Sequence, residues 1–265
     1  LTFVAAALSV STYVQPVAAS LGMATRYWDC CMPSGAWHGK ASVYKPVDVC
    51  EADGVTLIPS DKANQGKSGC DGGDQFACTC MQPFNDMKDE TLGYGFSAFA
   101  AAGQQESDNE CSCYEAHFNS KDADGKPLAV NKLIFQVINS GSDVHTDNFD
   151  FAIPGGGLGS FEQGCPNQWH NSVTSWGQQM GGVTSAQECK NIPESLQSGC
   201  SWRFKYWGNN PTLAKELKRV RCTKGLIDRS GCQRKDDAQQ PVYSGITDAK
   251  GQPAPDQYKR DRSVC

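Results

Sequence analysis

TRYWDCC, residues 25–31, sets one aspartate between two aromatic residues and a pair of adjacent cysteines. Read as a strand, the segment turns Tyr27, Asp29 and Cys31 to one face and Trp28 and Cys30 to the other. The two cysteines then cannot share a bridge. Two bridges to different parts of the chain would hold the backbone at Asp29 from two sides. An aspartate anchored this way is either an acceptor for loop N–H groups or half of a catalytic pair.

A partner is available in INSGSDVHTDNFDFAIPGGGLGSF, residues 138–161, which places Asp143, Asp147 and Asp150 around a loop and the start of a strand. Paired carboxylates are what glycoside hydrolysis requires. One protonates the leaving oxygen, and in an inverting enzyme the other activates water from the opposite face, the two standing about 6.5–9.5 Å apart. The acid must hold its proton near neutrality. Burial among Phe149, Phe151 and Ile153, or the like charge of Asp143, is expected to raise the pKa of Asp150.

The fourteen cysteines run from Cys30 to Cys265 without metal-type CxxC clustering and read as a disulfide framework. Such frameworks persist in oxidising compartments, so a secreted, extracellular protein is expected. Residues 1–19, LTFVAAALSVSTYVQPVAA, are apolar, uncharged and end in a plausible cleavage site, and are read as a signal peptide remnant. A membrane anchor is the weaker reading, because Ser, Thr, Gln and Pro interrupt the run. Net charge −5 and a pI near 5.4 supply no basic field for a polyanion, so nucleic acid is not expected as a partner.

Residues 22–240 read as one domain, with no repeat, low-complexity tract or Ser/Thr/Pro linker inside it. Residues 241–265 are polar and turn-rich but end in Cys265, which suggests a tail stapled to the domain. TRYWDCC, LAVNKLIFQVIN and NFDFAIP have strand character, FSAFAAAG and TSAQECKNIP are candidate helices, and the balance is a mainly β barrel with long disulfide-pinned loops and a few short helices. PGGGLGS lacks the GK[ST] ending of a phosphate loop, and His38, His117, His145 and His170 lack ligand spacing. No metal and no cofactor is expected, no sequon with a permitted middle residue occurs, and a monomer is the expected state.

TRYWDCCMPSGAW, NFDFAIPGGGLGSF, GGVTSAQEC, GCSWRF and GCQRKDD occur in the order found in glycoside hydrolase family 45, and over roughly residues 24–237 the chain resembles those endoglucanases. The resemblance implies a six-stranded double-psi β-barrel and inverting hydrolysis of β-1,4-glucan, with Asp29 as general base, Asp150 as general acid and Asp143 assisting. It also implies that Thr25, Tyr27, Trp37, Asn148 and Asn210 line the substrate cleft, Trp37 offering a flat face to a sugar ring. Asn148 stands where the family often has His, and Met180 where an aromatic residue is common, with Trp169 or Trp176 as possible replacements.

The same resemblance implies six bridges: Cys30 with Cys165, Cys31 with Cys70, Cys50 with Cys78, Cys111 with Cys232, Cys113 with Cys222, and Cys189 with Cys200. A further pair of the family is missing as a pair, its two positions holding Gly35 and Glu110. Cys80 and Cys265 are left, and are expected to bridge the tail to the domain. Two other classes compete: a non-hydrolytic wall-loosening protein of the expansin type, which would not need Asp29, and a barwin-like carbohydrate-binding protein, which would need neither carboxylate.

Overall fold

The computed structural model describes residues 22–100, 104–141 and 148–265. The signal peptide remnant and Asp143 lie outside the described residues. The strands are β1 (Ala24–Tyr27), β2 (Val43–Lys45), β3 (Val49–Cys50), β4 (Leu57–Ile58), β5 (Phe76–Ala77), β6 (Phe84–Asn85), β7 (Leu92–Phe99), β8 (Cys113–His117), β9 (Lys132–Asn139), β10 (Phe149–Ala152), β11 (Lys218–Val220) and β12 (Gln233–Arg234). The helices are α1 (Ser60–Ala63), α2 (Glu106–Asn109), α3 (Gly164–Trp169), α4 (Glu194–Trp202) and α5 (Lys224–Ser230).

The main sheet runs β1-β10-β7-β9-β8-β11, with β6 added against β7. β1 is parallel to β10 and β7 is parallel to β9, while the other pairs are antiparallel. This corrects the expected closed six-stranded double-psi barrel: the sheet is open, the fold mixes helices with strands, and its edges β1 and β11 do not pair. The cause is visible at β1. Loops take its outer hydrogen bonds, Ala24 N–H donating to the Pro211 carbonyl and Leu213 N–H to that of Gly22, each at 3.0 Å. An edge strand covered by loops needs no closing strand.

β7 and β9 form the middle of the sheet and are buried on both faces, which is why LGYGFSAF and KLIFQVIN read as near-continuous apolar runs. The expected helix over FSAFAAAG is corrected on the same ground: Phe96 to Phe99 end β7, and its neighbours on both sides override local alanine propensity. The second expected helix, TSAQECKNIP, reduces to one 3-10 turn, Glu188–Asn191. There the Glu188 carboxylate bonds back to the N–H and hydroxyl of Thr184, at 2.7 and 3.0 Å.

One face of the sheet carries an aromatic layer of Phe99, Phe135, Phe149, Phe151, Trp202 and Trp207. Ring contacts knit it together, Phe135 to Phe149 stacked at 5.4 Å and Phe151 to Trp207 edge-on at 5.4 Å. The other core region packs around half-cystines. The seven disulfides are Cys30–Cys165, Cys31–Cys70, Cys50–Cys78, Cys80–Cys265, Cys111–Cys232, Cys113–Cys222 and Cys189–Cys200.

Residues 241–265 are built into the domain by more than the terminal bridge. The buried Asp86 carboxylate accepts from the Tyr94 hydroxyl at 2.6 Å and from Asp248 N–H at 3.0 Å. Asp228 accepts from Asp261 N–H at 2.7 Å, and Arg260 forms an ion pair with buried Asp48.

Where the family's missing bridge would lie, Gly35 and Glu110 face each other. A Cβ on Gly35 would stand 2.6 Å from Glu110 Oε2. Glu110 is fully buried, its Oε1 receives the Ser34 hydroxyl, and its Oε2 meets no hydrogen-bond donor among the described residues. Burial therefore pushes its carboxyl up to about 7, against which the Ser34 hydrogen bond and the charges of Lys40 and Arg234 pull only partly.

Two outcomes are expected. Replacing Cys80 and Cys265 together by Ser should lower unfolding free energy by about 2–4 kcal/mol, less than the chain-entropy maximum because the tail's hydrogen bonds survive. Urea unfolding at neutral pH checks this, and an unchanged midpoint would show the bridge to be idle. For Glu110, the folded-state value lies above the 4.5 of an ordinary Glu, so the native chain holds the extra proton between pH 4.5 and about 7. The stability it confers is complete below pH 4.5 and lost as pH rises to about 7. Relative to wild type, Glu110→Gln should gain at most about 3 kcal/mol between pH 4.5 and 7.5. Parallel stability curves for the two proteins would contradict this.

Candidate active site

Asp29 sits just past the end of β1, not within it. β1 stops at Tyr27, whose carbonyl accepts from Ile153 N–H at 3.0 Å, and Trp28 N–H donates to the Gly157 carbonyl at 2.7 Å. Cys30 then takes a left-handed conformation, φ 63°. The strict alternation of faces expected through Cys31 is therefore broken at Cys30, a conformation that a non-glycine residue holds only under outside restraint. The restraints are on each side of it. Cys30 and Cys31 bridge to Cys165 and Cys70, and the Cys30 carbonyl accepts from Ala77 N–H at 3.2 Å.

The turn brings Cys31 N–H onto Asp29 Oδ1 at 2.9 Å. An N–H donor aimed at a carboxylate oxygen suits the ionised form, as a general base requires. Gly164, at the start of α3, passes so close to the Asp29 carbonyl and the Cys70 sulfur that a Cβ there would overlap both. Glycine permits the approach that lets Cys165 reach Cys30.

Asp150 lies on β10 beside β1, in register with Thr25. Its flanking residues Phe149 and Phe151 turn to the opposite face and fill the aromatic layer, with Ile153 beside them. They do not enclose the carboxyl from their own face; Asp150 is half-buried and lines the cleft, with its Oδ1 shielded from solvent. The expectation that those three side chains bury the acid is corrected accordingly. The Ser97 hydroxyl donates to the Asp150 carbonyl at 3.0 Å and holds the strand there.

Asp29 and Asp150 line one cleft together with Tyr27, Asn139, Ser140 and the half-exposed Phe161. Tyr27 lies within the field of both. Its hydroxyl oxygen accepts from Asn139 Nδ2 at 3.2 Å, and its pKa is raised well above the ordinary tyrosine value by burial first and by Asp29 next, with Asp150 adding to it. It is therefore a proton-bearing group between two carboxylates.

Arg26 underlies the Asp150 side of the cleft. Burial lowers its pKa while the Asp150 charge acts to raise it, and its guanidinium donates to Asn210 Oδ1 at 2.6 Å and the Gly181 carbonyl at 3.0 Å. Asn210 is thus held in place by Arg26, with its backbone at φ 41°. Asn148 Oδ1 accepts from Met23 N–H at 3.2 Å, so this position fastens the entry of β10 to the entry of β1. Trp37 is half-buried after the 3-10 turn Ser34–Ala36 and packs on the hydrophobic core, outside the cleft that the two carboxylates share. Met180 is exposed opposite Gly157, and Trp176 is buried with its indole N–H on Asn171 at 2.9 Å, so Trp176 cannot replace an aromatic at that surface.

Asn139, Ser140, Arg26 and Phe161 were not singled out from sequence. Asn139 ends a strand that reads as uniform core. It reaches the cleft because the β7–β9 register shifts after Ser97, bringing Asn139 opposite Ala98. Among the described residues no group of three or more His, Cys, Asp or Glu could hold a metal ion, and no helix is long and apolar enough to cross a membrane.

Comparisons with known proteins agree with this geometry. The profile of glycosyl hydrolase family 45 matches residues 21–233. "Endoglucanase 1" of Mycosarcoma maydis is 60% identical over 244 residues, 92% of this chain, which spans only 61% of that protein's length. "Endoglucanase" of Cryptopygus antarcticus is 44% identical over 213 residues, 80% of this chain and 89% of that one. The crystal structure of the cellulase from this Antarctic springtail superposes with a TM-score of 0.70 at 44% identity, covering 80% of this chain and 96% of that chain. The matched span holds Asp29, the bridges that pin it, and Asp150, and on these grounds the chain belongs to glycosyl hydrolase family 45.

Proposed function

We propose that the protein is a secreted endo-β-1,4-glucanase that hydrolyses internal bonds of cellulose and related β-glucans with inversion, Asp150 acting as general acid and Asp29 as general base. The observation that carries the reading is the meeting of these two carboxylates on one open cleft, each fixed by backbone: Asp150 by the β1–β10 pairing and Asp29 by the turn at Cys30. Internal cleavage requires this cleft to admit the middle of a polymer. Asp150 donates its proton to the glycosidic oxygen while Asp29, whose Oδ1 accepts the Cys31 N–H, takes one from the water that attacks the anomeric carbon from the other side. The oxocarbenium-like charge that develops between them is stabilised by the Asp29 anion, and the Tyr27 hydroxyl, protonated throughout, orients what lies between.

Thr25 and Tyr27 border the reacting bond, and Asp143 assists the acid. Seven disulfides fit an oxidising, extracellular compartment.

Asp29→Asn and Asp150→Asn should each lower reducing-end release from carboxymethylcellulose by about 10²–10⁴-fold, with thermal unfolding unchanged within a few degrees. Viscosity should fall ahead of reducing ends in the wild type, as internal cleavage requires. A folded wild type that releases no reducing ends would transfer the protein to the non-hydrolytic, wall-loosening or binding class. As a separate check of stereochemistry, proton NMR of early product should show the α-anomer first. The β-anomer appearing first would rule out the inverting roles assigned to the two aspartates.

A further inference from the structure

Behind the cleft wall opposite Asp150 runs a chain of polar side chains that the reaction does not use. Glu110, fully buried after α2, receives the Ser34 hydroxyl. Ser34 Oγ accepts from Ser140 N–H at 2.8 Å and lies 3.2 Å from Ser140 Oγ. The Ser140 hydroxyl donates to Glu106 at 2.6 Å, and Glu106 pairs with Lys40 at 2.6 Å. The front of the chain is in the cleft: Ser34 N–H donates to Asn139 Oδ1 at 2.9 Å, and Asn139 in turn donates to Tyr27. Asn139 and Ser140 line the cleft with Asp29.

Counting protons shows that this chain has two states. With Glu110 neutral, its O–H donates to Ser34 Oγ, Ser34 donates to Ser140 Oγ, and Ser140 donates to Glu106, so every oxygen contact contains a proton. With Glu110 ionised, the single Ser34 proton points back at Glu110 and the Ser140 proton stays on Glu106, because a carboxylate accepts more strongly than a neutral hydroxyl. The two serine oxygens then face each other at 3.2 Å with no proton between them.

We propose that Glu110 is a positioning residue for substrate binding, whose protonation completes the Ser34–Ser140 link and so holds the Asn139–Ser140 wall of the cleft in place. Charged groups around it do not hold it in either state. Glu106 on α2 opposes ionisation, while Lys40 from the 34–40 loop and Arg234 on β12 favour it. Arg234 is in addition committed elsewhere, donating to the Glu110 backbone carbonyl at 3.0 Å and pairing with Asp236 at 2.9 Å, and Tyr27 on β1 lies within its field. The value of about 7 places the change of state in the neutral range.

This inference rests on the glucanase reading, and the test separates the two. KM and kcat on a soluble cello-oligosaccharide are measured from pH 5 to 8.5 for wild type, Glu110→Gln and Ser34→Ala, with thermal unfolding confirming each fold. Wild-type KM should rise about three- to tenfold between pH 6 and 8, the effect of losing one hydrogen bond, apart from any change in kcat. Glu110→Gln, which donates permanently to Ser34, should keep the low-pH KM throughout. Ser34→Ala should show the high-pH KM throughout. Turnover with a wild-type KM that is flat across this range, or a Glu110→Gln profile that follows wild type, overturns the positioning role alone. Absence of wild-type turnover overturns both readings.

Discussion

Everything at the cleft depends on holding a left-handed cysteine beside an aspartate. Cys30 at φ 63° ends the strand, turns Asp29 into the cleft and sets Cys31 N–H on its carboxylate. A residue with a Cβ in that conformation is held by its surroundings. Here the surroundings are covalent on both sides, through Cys165 and Cys70, and hydrogen-bonded before and after, through Gly157 and Ala77. The rigidity that the motif suggests is therefore real, but it is exercised through a strained turn rather than through a regular strand.

The second carboxylate is placed by a different kind of force. Asp150 belongs to a strand whose alternate residues Phe149 and Phe151 are locked into an aromatic layer, so its own side chain has only the cleft face available. One catalytic candidate is thus held by bridges and the other by packing. The parallel register of Thr25 with Asp150 joins the two systems.

Much of the candidate site was legible in TRYWDCC and NFDFAIP because the two carboxylates that meet in the cleft are local features of short motifs. What was not legible is non-local. Fourteen cysteines permit far too many connectivities for spacing to choose among, and the pairs were readable only through resemblance. Asn139 looked like core because its exposure comes from a register shift between strands some forty residues apart in sequence. The open sheet was hidden for a related reason: the residues that cover β1 come from around Pro211 and Leu213, in a segment with no strand signal. FSAFAAAG failed differently, since local propensity was outweighed by burial on both faces.

The bridges also have a topological consequence. Cys30–Cys165 and Cys80–Cys265 overlap along the chain, and together they span every peptide bond from residue 30 to residue 265. A protease that cuts once anywhere in that stretch leaves one covalent molecule, with both carboxylates still on the same body. To shed a piece it must cut twice, either within one interval between neighbouring half-cystines or on both sides of a group that pairs only with itself, such as Cys189–Cys200. A single nick is then a local wound and not a loss of mass.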